Sequence, residues 1–212
     1  MKILITGFEP FGGDKINPTE KIVNALKNEK IENVEIFTKV LPVVFKKADE
    51  ILVDMLNEIK PEISLHLGLA AGRSGISLER VALNLMDARI PDNEGYQPQD
   101  VQIRKDGANA YFSKLSIKKI VNDLRKEGIP SVISNTAGLY VCNEVMYISL
   151  YHSEKFGFPR KTGFIHVPYL PEQVVEKFSY TGQNVPSISF DLQLKAVKLI
   201  IKETLQEFEK PC

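Results

Sequence analysis

The sequence predicts an α/β fold, a three-layer α/β/α sandwich around a mostly parallel, twisted central sheet. Three observations carry this expectation. Strand-like apolar runs alternate with helix-like segments along the chain, the pattern of one sheet with helices on both faces. The run ISLHLGL (63–69) is nearly all apolar, as in a strand covered on both sides. Hydrophobic residues make up 43% of the 212 residues, so a sizeable core can form, and one domain over 1–212 accommodates the chain.

Taken in order, KILITG (2–7) reads as a first buried strand. Asn17-Pro18-Thr19-Glu20 opens a helix through about Glu29. VEIFTKVL (34–41) is a strand. From Phe45 to Ile59 the stripe Ala48, Ile51, Leu52, Met55 and Ile59 has helical spacing, and Pro61 stops it. ISLHLGL follows, then the strand-like ISLERVALNL (76–85). The polar stretch from Asp87 to Asn109 is long for a connection without regular structure, and such loops are commonly functional. Residues 113–127 form a helix ended by Gly128, with Pro130 beyond it. SVISN (131–135) is a strand, and AGLYVCNEVMYISLYHS (137–153) leads into a buried helix. GFIHVP (163–168) is another strand, and a last helix runs from about Ser189 to Phe208.

Composition removes several functions. Lys+Arg and Asp+Glu number 27 each, so nothing favours nucleic acid or a charged membrane surface as partner. No apolar run reaches the roughly 18 residues of a membrane span. The apolar part of MKILITGFEPFGG is too short for a signal peptide, and a cytoplasmic location is expected. Two cysteines, Cys142 and Cys212, make no disulfide framework. No Cys/His group has metal-ligand spacing, so no metal or other cofactor is expected.

Ligands of open α/β sheets bind outside the carboxyl ends of strands. The candidates there are the loop Gly7 to Gly13, Gly68 onward, Asn135 to Cys142, and His166. Cys142 can be a small core residue or a nucleophile. At a helix start, the dipole and free N–H groups lower a thiol's pKa and hold an oxyanion. His152 lies ten residues along the same helix, about 15 Å away, and reads as a surface or helix-end residue. His66 sits inside an apolar strand and reads as a satisfied core residue. His166, at a strand end, is the best-placed base. The orienting acid stays open among Glu79, Asp87, Asp92 and Glu94; Glu79 interrupts an apolar strand and equally suits an ion pair with Arg73, Arg80 or Arg89. GFEPFGG lacks the phosphate-loop signature and suggests an apolar wall.

Four segments in order resemble the pyroglutamyl-peptidase I family, cysteine peptidases that remove N-terminal pyroglutamate. They are GFEPFGG with Asn17-Pro18, SLERVALNLMDARIPDNEG (77–95), SNTAGLYVCNEVMY (134–147) and GFIHVPYLPEQ (163–173). The resemblance implies a phosphorylase/hydrolase-like fold and a triad of Cys142 as nucleophile, His166 as base then acid, and Glu79 as orienting acid. It implies Arg89 beside the oxyanion region. It places Phe8, Phe11, Ile90, Tyr140 and Val141 around the pyroglutamyl ring, with Asn17 near that pocket. Peptides with N-terminal pyroglutamate are the implied substrates and a homotetramer the implied assembly. Some thermophilic relatives link subunits through a cysteine in the segment matching Pro186 to Phe190; Ser187 and Ser189 stand in it here, which excludes that bridge. The rival readings are an amidase for another small acyl group and a non-catalytic small-molecule-binding domain.

Overall fold

In the computed structural model, which describes residues 1–31, 33–177 and 184–209, the elements follow in the order β1 (Lys2–Phe8), α1 (Pro18–Leu26), β2 (Glu35–Leu41), α2 (Lys47–Ile59), β3 (Ile63–Leu69), β4 (Ile76–Glu79), β5 (Val81–Leu83), β6 (Ala110–Phe112), α3 (Ile117–Lys126), β7 (Ser131–Ser134), α4 (Val141–Phe156), β8 (Lys161–Val167), α5 (Pro171–Val174) and α6 (Phe190–Glu209). Cys212 lies outside the described residues.

Side-chain alternation along the strands sets the layers. Ile3 and Ile5 of β1, Leu65 and Leu67 of β3, and Ile165 and Val167 of β8 face a core completed by α1, α3 and α6. Leu4 and Phe8 of β1 and Phe164 of β8 face the opposite core, completed by α2 and α4. Each fully buried aliphatic or aromatic side chain contributes about 1.5–3 kcal/mol, and both faces carry many. The expected three-layer α/β/α sandwich is what forms.

The six-stranded sheet has the order β2-β1-β3-β8-β4-β7. β2, β1, β3 and β8 run parallel. β4 runs antiparallel to β8 and parallel to β7, so the last two strands reverse the direction of the sheet.

Two sequence expectations are corrected. Residues 76–85 do not form one strand. Arg80 still donates its N–H to Ser134 O of β7, but its carbonyl accepts from Ser113 N, and the chain then leaves the sheet. β5 then pairs with β6 in a separate two-stranded sheet. The helix expected from 113 starts only at Ile117, because Lys114 N is bonded to Thr162 O of β8. The stretch 87–109 is indeed irregular, but it is anchored by the Met86–Val101 bridge and by Ala88 N to Pro98 O at 2.8 Å. Among the described residues no helix is long and apolar enough to cross a membrane.

Candidate active site

Cys142 is the second residue of α4. Its approach is set by Gly138, whose φ of 80° suits glycine, and by extended Tyr140 at the N-cap. The thiol lies over β3 at Gly68. A Cβ there would stand 3.0 Å from Cys142 Sγ and 2.7 Å from the Phe164 ring, so only glycine leaves the sulfur its place. Gly68 is in register with His166 on the adjacent parallel strand. Cys142, Gly68 and His166 are therefore neighbours on the α2/α4 face of the sheet, although among the described residues no hydrogen bond joins Cys142 to His166.

The acid reaches His166 from the antiparallel neighbour. Ser77 of β4 pairs with His166, and two residues on, Glu79 turns to the same face. His166 Nδ1 is 2.7 Å from Glu79 Oε1, with both side chains buried. An ionised carboxylate only accepts, so Nδ1 carries the hydrogen and Nε2 is the basic nitrogen. Arg73 Nη1 donates to the same Oε1 at 2.6 Å. Glu79 thus meets both His166 and Arg73 on one oxygen. Because β4 runs antiparallel to β8, the carboxyl ends of the two strands point in opposite directions, and Glu79 and His166 meet across the strand pair.

Electrostatics fix the resting charges. Burial lowers the pKa of His166 below that of an ordinary imidazole, against the hydrogen bond and charge of Glu79. Burial acts to raise Glu79, but the hydrogen bond and charge of His166, then the Ser134 hydroxyl and the charge of Arg73, outweigh it and hold the carboxyl below its usual range. Burial pushes the Cys142 thiol up to about 12, and the Glu79 charge adds to this; Arg73 and the residue's own backbone N–H oppose it. This reverses the direction expected from the helix dipole, because desolvation outweighs the helix start. The resting pair is a neutral thiol and a neutral imidazole.

Beside the thiol lies a narrow cavity lined by Phe8, Phe11, Asn17, Val43, Leu69, Tyr140, Val141 and Cys142. Phe11 and Tyr140 pack with ring centroids 6.3 Å apart, and Phe45 braces Tyr140 edge-on at 5.2 Å. Among the described residues no group of three or more His, Cys, Asp or Glu is placed to hold a metal ion.

A family model described as pyroglutamyl peptidase matches residues 1–207. A pyrrolidone-carboxylate peptidase of Pyrococcus furiosus is 56% identical over 207 residues, 98% of this chain and 99% of that protein. One from Thermococcus litoralis is 50% identical over 209 residues, covering 99% and 95%. The chain belongs to the pyroglutamyl peptidase family. The crystal structure of a mutant pyrrolidone carboxyl peptidase from Pyrococcus furiosus superposes with a TM-score of 0.94 at 56% identity, over 98% of this chain and 99% of that one.

Most of the residues that the resemblance placed around the pyroglutamyl ring line this cavity. Phe8, Phe11, Asn17, Tyr140 and Val141 line the cavity, whereas Ile90 does not and is 48% exposed. Asn17 has its amide engaged: Oδ1 accepts from Thr19 N and Oγ1, and Nδ2 donates to Glu9 O. Arg89 is exposed and makes no ion pair among the described residues. Its loop is nonetheless tied to the start of α4, by Asp87 N to Leu139 O at 3.0 Å and by Tyr140 Oη to Pro91 O at 3.0 Å.

Three of the other candidates, His66, His152 and Asp92, have their polar atoms engaged elsewhere. His66 is buried between Thr6 and Ser64, as expected of a core residue. His152 is not a surface residue. It is buried, with Nδ1 2.8 Å from Phe158 O and Nε2 3.1 Å from Asn57 Oδ1. Asp92 is occupied as a loop anchor, accepting from Phe45 N, Glu94 N and Tyr96 N. Val43 and Leu69 in the cavity wall carried no sequence signal beyond being apolar. Gly68 was visible only as a member of a strand-end loop.

Proposed function

We propose that the protein is a cysteine exopeptidase that hydrolyses the amide bond after an N-terminal pyroglutamyl residue. The observation that carries this reading is the Arg73–Glu79–His166 chain, with Glu79 and His166 buried, set beside Cys142 at the mouth of an apolar cavity. As Cys142 Sγ attacks the pyroglutamyl carbonyl carbon, its proton passes to Nε2 of His166. The carbonyl becomes an oxyanion, held by N–H groups at the start of α4 with Arg89 close by. Glu79 stabilises the imidazolium. Collapse breaks the C–N bond while His166 returns the proton to the leaving amine, and a thioester remains. Water then attacks the thioester, giving a proton to His166. The second collapse releases pyroglutamic acid and restores the protonated thiol. These side chains complete the cycle without a metal or organic cofactor.

Pyroglutamate offers one lactam N–H, one lactam C=O and an apolar ring edge. Phe8, Phe11 and Val141 suit the ring edge. With Asn17 already bonded, backbone groups of the Gly7–Gly13 loop pair with the lactam in this reading. Free glutamate would bring unpaired charges into the cavity at a cost of several kcal/mol. Proline would leave the lactam's partners unsatisfied, and sites built for such bonds reject analogues lacking them by roughly 10⁴ in favourable cases. The test is kcat/KM for pyroglutamyl, glutamyl and prolyl amides of one leaving group, with Cys142→Ser as control. We expect cleavage of the first alone and none by the variant. Comparable values for all three would favour a broader amidase, and turnover by Cys142→Ser would remove the nucleophile. We infer further that the chain works as a single-domain subunit of a homotetramer in the cytoplasm, where a reducing environment suits a free thiol nucleophile.

A further inference from the structure

Arg73 has no place in the triad described above, yet it makes the shortest polar contact at the site. It sits in the turn between β3 and β4, where Gly72 has a φ of 81° and Arg73 N is 3.3 Å from Ala70 O. From there Nη1 reaches Glu79 Oε1 at 2.6 Å, beside His166 Nδ1 at 2.7 Å on the same oxygen. Glu79 Oε2 is buried and accepts no hydrogen bond among the described residues, so donors concentrate on Oε1. Nη2 lies 3.4 Å from Thr136 O, in the loop that leads to Cys142. The guanidinium therefore touches the acid and the nucleophile's loop. Its side chain keeps 31% exposure, against 0% for Glu79.

We propose that Arg73 is a positioning residue of this site: by sharing Oε1 of Glu79 with His166, it fixes which oxygen the imidazole uses and opposes proton uptake by the Glu79–His166 pair. The inference rests on the function proposed above. The charged and titratable groups around the pair are Arg73 from the β3–β4 turn, Glu79 on β4, His166 on β8 and Cys142 on α4. The Ser134 hydroxyl, which donates to Thr136 O, also acts to hold the Glu79 carboxyl down, but it carries no charge. Of these, only Arg73 is a permanent cation, so it alone makes the pair's proton cost more in every state. That keeps His166 free to receive the thiol proton, and the carboxylate ready to stabilise the imidazolium that results. The charge of Arg73 acts to lower the pKa of both His166 and Cys142, a minor part of each balance beside burial.

The experiment is an NMR titration of the His166 imidazole in the substrate-free protein, assigned by loss of its signal in His166→Ala, alongside the pH profile of kcat/KM. In Arg73→Met the His166 titration and the acid limb of the profile should both move to higher pH. Arg73→Lys, which keeps the charge, should stay near wild type. Should Arg73→Met not fold, the same readings are taken on Arg73→Gln. An unmoved titration in the uncharged variant, or an equal shift in Arg73→Lys, overturns the proposal. Because the titration needs no substrate, it stands apart from the functional reading, which fails instead if the wild-type protein does not cleave a pyroglutamyl amide.

Discussion

A methyl group at position 68 would lie 2.7 Å from the Phe164 ring and 3.0 Å from Cys142 Sγ. Gly68→Ala should therefore cost about 1–3 kcal/mol by overpacking and lower kcat/KM out of proportion to the change in melting temperature, since one of the two displaced groups is the proposed nucleophile. Kinetics equal to wild type would mean that the thiol does not depend on this clearance. The histidines separate by what each ring nitrogen meets. His166→Ala should remove most activity with a modest change in stability. His152→Ala should lose stability by about 1–3 kcal/mol, through its orphaned partners Phe158 O and Asn57, while kcat/KM of the remaining folded enzyme holds. Thermal melts and initial rates on the two variants decide between these patterns. At this scale residue type and position were legible: Cys142 at a helix start, His166 at a strand end, His66 inside a strand. The sign of the thiol's shift was not. It depends on how much solvent the fold excludes from Cys142, and no local spacing encodes that.

Glu144 ties two elements together. Both of its carboxylate oxygens accept from Lys46 N, at 3.0 and 3.2 Å, which joins the start of α4 to the start of α2. The joint holds Lys46 at a φ of 61°, a conformation uncommon for any residue but glycine. Burial pushes the Glu144 carboxyl up to about 8, and pushes Asp49 on α2, paired with Arg104, up to about 6. A raised carboxyl pKa means that the folded state holds the proton more tightly than the unfolded chain. The associated stability is complete below the unfolded value near 4.3 and is lost as pH rises to the folded value. Glu144→Gln removes one such group, so its melting temperature should fall less steeply than that of wild type between roughly pH 5 and 9; parallel curves would refute this. Asn17 joins α1 to the GFEPFGG loop in a similar way, capping the helix and holding Glu9 O. Asn17→Ala should cost about 1 kcal/mol, seen as roughly 2–4 °C in the melting temperature, and should raise KM by loosening the cavity wall. Most elements were legible from apolar period and stop signals. The break after Glu79 was not, because VALNL continues the apolar pattern of ISLE while its hydrogen bonds go to a different sheet. The three-residue β6 is too short to leave a periodic signal.

Across the whole molecule, alternation of strand and helix was enough to foresee the layers. It could not foresee that β4 and β7 reverse the sheet, since strand direction follows from the connections and not from composition. The resemblance carried what spacing could not: the pairing of Glu79 with His166, which lie 87 positions apart in the chain. The proposed homotetramer is checked by sedimentation equilibrium at several protein concentrations, with four chain masses expected. A mass of one chain with full activity would show that the site is complete within a single subunit and would overturn the proposed assembly.

β8 stands between β3 and β4 in the sheet, although it is the last of its strands along the chain. A growing polypeptide that has not reached residue 161 can therefore hold only two half-sheets, β2-β1-β3 and β4-β7, each with a bare edge open to wrong partners. The strand that seals both edges is also the one that brings His166. Synthesis thus closes the sheet and delivers the proposed base in the same event, and a chain that has passed Cys142 but not yet reached His166 carries the thiol without its proposed partner.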